Sequence, residues 1–146
     1  MERKKWLDAP PAAEEIMQDD KGYFYIPIEI VRRKLDYLNP YWSIKNFFHT
    51  YVSDHNGCVM CSGSIELVLP KTELDEYDRT LTGAATISVE EFKQRDNQHY
   101  AATVLSLCIS NAAKILGETF GRSINDEKSE NKGMAIKNTL NDYLAR

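Results

Sequence analysis

Apolar residues recur at two different periods along this chain, and the changeovers between them mark out its elements. From Pro27 the positions Ile28, Val31, Leu35 and Leu38 follow helical spacing. Pro27 suits a first turn and Asn39-Pro40 a stop, so the spacing predicts a short amphipathic helix whose outward face carries Arg32, Arg33 and Asp36. After Pro40 the texture turns aromatic and β-branched, with Trp42, Ile44, Phe47, Phe48, Tyr51 and Val52 leading into the turn signal Asp54-His55-Asn56-Gly57. A hairpin is expected there. In its second arm, residues 58–69, alternation sets Ile65, Leu67 and Leu69 on one face and Ser64, Glu66 and Val68 on the other. Pro70 closes the arm, residues 71–78 form an acidic solvated loop, and residues 79–89 read as a third strand broken at Gly83-Ala84-Ala85.

The period then returns to helical. Residues 98–116 are apolar on nearly every side, with Ala101, Ala102, Val104, Leu105, Leu107, Cys108, Ile109, Ala112, Ala113, Ile115 and Leu116, so this helix is expected to be mostly buried. Ser88 with Glu90 and Glu91 supplies its start signal, and Gly117 followed by Phe120-Gly121 its end. A polar linker, residues 125–132, leads to a final helix with Met134, Ile136, Leu140, Tyr143 and Leu144 near one side. The first 22 residues lack a sustained period and contain Pro10-Pro11, so they read as a flexible N-terminal arm that Trp6 and Ile16 can dock. The fold expected of residues 23–146 is α+β: an antiparallel strand meander packed on one long buried helix, with flanking N-terminal and C-terminal helices.

Composition narrows the class. With 146 residues, 42% hydrophobic and 27% charged, the chain is an ordinary globular sequence with length for one sizeable core. No apolar run reaches the roughly 18 residues that span a bilayer, and the charged start lacks the apolar centre of a signal peptide, so a soluble, cytoplasmic protein is expected. Three cysteines, an odd number, argue for reduced thiols. The net charge of −4 speaks against duplex binding through overall basicity, but its distribution is uneven. Glu73, Asp75, Glu76 and Asp78 concentrate acid in one loop and leave room for a basic groove elsewhere.

Each candidate for bond chemistry has a plainer explanation. Cys58-Val59-Met60-Cys61 has C-x-x-C spacing with His55 three residues before it, but in a strand positions three apart face opposite ways and do not chelate one ion. His49, His55 and His99 stand in no recognisable nucleophile constellation. Gly117 and Gly121 lack the Lys-Ser or Lys-Thr of a phosphate loop, and the 73–78 run lacks the ligand spacing of an EF-hand. What remains is a set of cations suited to phosphates, Arg32, Arg33, Lys34, Lys45, Arg79, Lys93, Arg95, Lys114 and Arg122, with Tyr41 suited to stacking on unpaired bases. Lys114 stands out because it interrupts a nearly all-apolar helix.

Several strings between about Tyr25 and Ile124 resemble the Rad-fifty-two-type single-strand annealing proteins, which include a eukaryotic recombination mediator and many phage recombinases. These are Tyr25-Ile26 leading into a helix, Leu38-Asn39-Pro40-Tyr41-Trp42-Ser43 where the family has a Gly-rich turn and a Trp-Ser-like pair, and the small-residue segment Thr82-Gly83-Ala84-Ala85. The most specific is Ser110-Asn111-Ala112-Ala113-Lys114-Ile115-Leu116-Gly117-Glu118-Thr119-Phe120-Gly121, which matches the family's alanine-rich basic helix end with two apolar-Gly pairs four residues apart. Ser110 and Asn111 depart from it, falling where the family commonly has further Lys or Arg. The resemblance implies single-stranded DNA held by its phosphates with base edges outward, annealing of complementary strands in recombination and repair, no cofactor, no metal and no enzymatic step. It also implies homo-oligomeric rings or helical filaments. Lys114, Arg122, Lys45, Arg79, Arg33 and Arg32 are the expected phosphate contacts, with Tyr41 as a stacking residue. The alternative is a non-enzymatic oligomeric interaction module whose acidic loop meets a basic partner.

Overall fold

The computed structural model describes residues 2–53, 59–89 and 97–126. The elements run α1 (Glu2–Asp8), a 3-10 turn (Ala13–Glu15), β1 (Met17–Gln18), β2 (Phe24–Tyr25), α2 (Ile28–Leu38), β3 (Ser43–Ser53), β4 (Val59–Leu69), β5 (Arg79–Ser88), α3 (Asn97–Lys114) and a second 3-10 turn (Glu118–Phe120). They form two compact units, Leu35–Ala113 and Met1–Lys34 with Lys114–Arg146. The fold is α+β, with an antiparallel meander in the order β3-β4-β5 packed on α3. The final helix expected after residue 132 and the hairpin turn at 54–57 lie outside the described residues, as do Glu90, Glu91, Lys93 and Arg95.

In the Leu35–Ala113 unit the alternation of β4 does what its pattern requires. Cys61, Ile65, Leu67 and Leu69 are buried toward the helix, and Ser62, Ser64, Glu66 and Val68 lie half-buried on the other face. Residues paired across the ladder share a face, so the pairings Ile65↔Gly83 and Gly63↔Ala85 put the small residues of β5 on the helix side. The strand is not broken at Gly83-Ala84-Ala85, contrary to the reading from composition; it pairs continuously from Arg79 to Ser88. These residues are small because α3 lies directly on them. A Cβ at Gly83 would collide with the Cys108 carbonyl and stand 2.8 Å from the Ala112 nitrogen, and one at Gly63 would stand 2.6 Å from Val104 Cγ1.

The sheet covers α3 on one side. Val104, Cys108, Ile109, Ala112 and Ala113 are buried, whereas Ala102, Thr103 and Leu107 are exposed, Leu107 by 40%. The helix expected to be mostly buried thus leaves these three positions open, because its apolar residues outnumber the positions the sheet can cover. Asn111, one of the two departures from the family string, donates from Nδ2 to the Ala84 carbonyl at 2.7 Å and ties helix to strand. The turn after α2 is fixed by Asn39, whose Nδ2 donates to the Pro70 carbonyl at 2.8 Å while its Oδ1 accepts from the Tyr41 amide at 3.0 Å.

In the other unit the first residues are elements in their own right. Met17 and Gln18 pair with Tyr25 and Phe24 around a turn in which Asp19 Oδ1 accepts from the Lys21 and Tyr23 amides at 2.9 Å. Ile16 is fully buried, and Trp6 meets Phe120 edge-on at 6.0 Å. Asn125, the first residue of the expected linker, acts as a substitute strand: its side chain donates to the Phe24 carbonyl at 2.7 Å and accepts from the Phe24 amide at 2.9 Å. Gly117 is required by proximity, since a Cβ there would collide with the Leu7 carbonyl, and Gly121 by its left-handed backbone at φ 86°. Among the described residues no helix is long and apolar enough to cross a membrane.

Candidate nucleic-acid interface

The expected contact residues fall into both units. Met1–Lys34 with Lys114–Arg146 contains Arg32, Arg33, Lys114 and Arg122; Leu35–Ala113 contains Tyr41, Lys45 and Arg79.

Lys114 is the last residue of α3 and is half-buried. Burial pushes its ammonium pKa down from the ordinary lysine value. Among the described residues no hydrogen bond or ion pair reaches its Nζ. Arg122 is brought to the same helix end: its Nε donates to the Lys114 carbonyl at 2.9 Å and an Nη donates to the Ile115 carbonyl. These are carbonyls that a helix C-terminus leaves without partners, so Arg122 closes the helix.

Lys34, in the same unit, is not free to meet a phosphate, contrary to its place among the cations suited to one. Its side chain is buried, and Nζ donates to the Thr119 carbonyl at 2.5 Å and to Thr119 Oγ1 at 3.0 Å and pairs with Glu15 Oε1 at 2.9 Å. An ammonium has three protons and all three are engaged. Helical spacing placed Lys34 one residue from Leu35, and nothing in the sequence marked Glu15 and Thr119 as its partners. The neighbouring Arg32 and Arg33 are exposed on α2.

On the sheet, Tyr41 is 73% exposed just before β3, while Trp42 is held by a bond from Nε1 to Asp36 Oδ1 at 2.7 Å. Lys45 and Arg79 are both exposed, but the fold does not bring them together. Lys45 pairs with Glu66, on the face away from α3, in one edge strand. Arg79 pairs with Leu69, on the helix face, at the start of the other. The ladder shifts register between Lys45 and Phe48, where Asn46 adopts φ 56° and its Nδ2 donates to Glu66 Oε2 at 2.7 Å. Such a bulge re-aims side chains.

Sequence reasoning missed the consequence of that bulge. Beyond it Phe47, His49 and Tyr51 share one face, with Phe47 and His49 stacked at 5.3 Å and 21° and Tyr51 edge-on to His49 at 6.2 Å. The aromatic texture was evident, but the extra residue that aligns the rings was not. The three strands also carry only one carboxylate, Glu66, in a chain with 22.

The thiol chemistry weighed for Cys61 has no support in its surroundings. Cys61 and Cys108 are buried and free, and burial pushes both thiols above the ordinary cysteine range, which keeps them protonated and weakly nucleophilic. His55 and Cys58 lie outside the described residues, and no group of three metal-ligating side chains occurs among the described ones. No family model and no curated protein matches the chain.

Proposed function

We propose that the protein binds single-stranded DNA through its phosphates and promotes annealing of complementary strands, as its resemblance to the Rad-fifty-two-type annealing proteins implies. The observation that carries this reading is Lys114, half-buried at the end of α3 with no hydrogen-bond or ion-pair partner among the described residues, at a helix end whose carbonyls Arg122 binds. A buried cation without a counter-charge is costly, and an incoming phosphate oxygen supplies what it lacks. Arg32, Arg33, Lys45 and Arg79 are exposed and add phosphate contacts, and the near absence of carboxylates from the sheet keeps that surface from repelling a polyanion. No base-specific contact is needed for annealing; many weak contacts along one strand are, and assembly of several copies into a ring or filament multiplies them.

The test is a strand-annealing assay on complementary oligonucleotides beside sedimentation of the protein. Faster annealing by an oligomer, suppressed by moderate salt, supports the reading. A folded protein that leaves the annealing rate unchanged at low salt removes it.

A second reading has its own observation. In the loop between β4 and β5, Leu74 and Tyr77 are 76% and 74% exposed among Glu73, Asp75, Glu76 and Asp78. The loop is shaped by bonds from the Lys71 amide to Asp78 Oδ1 at 2.7 Å and from the Leu74 amide to Thr72 Oγ1 at 3.2 Å. Apolar tips in an acidic setting suit a basic protein partner. Retained DNA binding in a Leu74→Ser, Tyr77→Ser variant that no longer associates with such a partner would separate the two roles.

A further inference from the structure

We infer that Lys34 is a positioning residue for the phosphate site: through Thr119 it sets Arg122 on the carbonyls at the end of α3, and so screens an incoming phosphate from the negative helix end that carries Lys114. This inference rests on the single-strand-binding reading and explains how that site can hold an anion at all.

A helix C-terminus is a poor place for a phosphate. Its last carbonyls lack amide partners and together carry about half an elementary negative charge. An anion approaching Lys114, the last residue of α3, is therefore repelled by the backbone on which the ammonium is mounted. Arg122 removes that obstacle. Its Nε donates to the Lys114 carbonyl at 2.9 Å and an Nη donates to the Ile115 carbonyl, which sets a positive charge on two of those acceptors.

Arg122 reaches the carbonyls because the chain between them doubles back. Gly117 lies against the Leu7 carbonyl with no room for a Cβ. Residues 118–120 then turn, closed by bonds from the Phe120 amide to the Gly117 carbonyl at 3.2 Å and from the Gly121 amide to the Glu118 carbonyl at 2.9 Å, and Gly121 takes the left-handed backbone. Thr119 is the middle of that turn. Lys34 holds it twice, at its carbonyl and at Oγ1. Lys34 is itself held by Glu15, whose Oε1 also accepts from the Ala12 amide at 2.8 Å. A functional group is placed reliably when its neighbours are locked by their own hydrogen bonds, and this junction locks the turn that carries Arg122. All of these residues except the helix body belong to the unit Met1–Lys34 with Lys114–Arg146. Because Lys34 is buried with all its protons engaged, it acts on the phosphate through Arg122 and not by contact.

The test is a double-mutant cycle on Lys34→Met and Arg122→Gln. The readout is the affinity of a fluorescently labelled oligo-dT strand at low salt, at a temperature below every variant's melting transition. Each single variant should bind about two- to fivefold more weakly than the unaltered chain, the size of one charge's interaction with a helix end. The two losses should not multiply. In the double variant the lysine has no guanidinium left to position, so its affinity should match that of Arg122→Gln alone. Thr119→Val removes the hydroxyl bond and leaves the backbone; it takes the place of Lys34→Met in the cycle if that variant does not fold. Its loss of affinity should be smaller and should vanish in the Arg122→Gln background.

A lysine that serves the fold alone gives a different pattern. A lowered melting temperature with unchanged oligo-dT affinity in Lys34→Met overturns the inference. Losses at 34 and 122 that multiply in the double variant overturn it too, because they separate the buried junction from the guanidinium on the helix end. Failure of the unaltered chain to bind oligo-dT at low salt removes the single-strand reading itself.

Discussion

Two lysines in the same unit, Lys34 near the end of α2 and Lys114 at the end of α3, show opposite solutions to the same problem. Both withdraw an ammonium from water. Around Lys34 the chain gathers a carbonyl, a hydroxyl and a carboxylate from two distant segments, so the charge is fully met and the lysine joins those segments together. Around Lys114 no described group does this, and burial lowers its pKa. The first arrangement is how a fold uses a buried charge, and the second is what the proposed phosphate site requires. Position in the sequence does not separate them, since each lies in a helix beside apolar residues.

The largest effect that separates them is on folding. Lys34→Met leaves Glu15 and the Thr119 carbonyl without their cation, and should lower stability in urea by about 2–4 kcal/mol, a sizeable part of what holds a small domain folded. Lys114→Met removes an unmatched charge instead, so its melting temperature should rise by about 1–3 °C. A stability loss at Lys114 comparable to that at Lys34 would break the contrast.

The next effect is on binding. Lys114→Met should weaken single-stranded DNA binding about tenfold, whatever the sequence, and should reduce the slope of log affinity against log salt by about 0.7, the share of one phosphate that is no longer neutralised.

The pH dependence sharpens the contrast. Because the pKa of Lys114 is lowered, the folded chain gives up this proton at a pH where the unfolded chain still holds it. The burial cost is therefore full at neutral pH and is relieved as pH rises toward the ordinary lysine range near 10.4. Bound phosphate favours the protonated form. Affinity for single-stranded DNA should accordingly begin to fall at a lower pH than solvated lysines alone would give, and titrations between pH 7 and 10 on Lys114→Met should lack that component.

Arg122→Ala gives the smallest change. Its guanidinium is exposed and is shared with the carbonyls of Lys114 and Ile115, so the variant should be about 1 kcal/mol less stable in urea, with less effect on affinity than Lys114→Met.

Much of the fold was legible because period and face are local properties. The helix from Ile28, the alternation of Ile65, Leu67 and Leu69, and the end of the long helix before Gly117 follow from spacing alone. Where reading failed, the missing information was in another segment. Gly83-Ala84-Ala85 looked like a break because the reason for small residues there is the backbone of α3 lying on the strand. The long helix was expected to be mostly buried, and its own sequence does not say that Ala102, Thr103 and Leu107 are the positions left open. Lys34 looked like a surface cation because Glu15 and Thr119 are 19 and 85 residues away. The site was legible in its residue types and not in its grouping: Lys114 and Arg122 share a helix end, whereas Lys45 and Arg79 occupy opposite edges and faces of one sheet.

The most direct test of the central claim is a fluorescence-anisotropy titration of a labelled oligo-dT strand with the unaltered chain and with Lys114→Met, at low and at moderate salt, with melts recorded on the same samples. Salt-sensitive binding that is about tenfold weaker in a variant at least as stable as the parent is the result predicted. Identical affinity and salt slope in the two proteins, or no binding at low salt by a folded chain, would contradict the assignment of Lys114 to a phosphate.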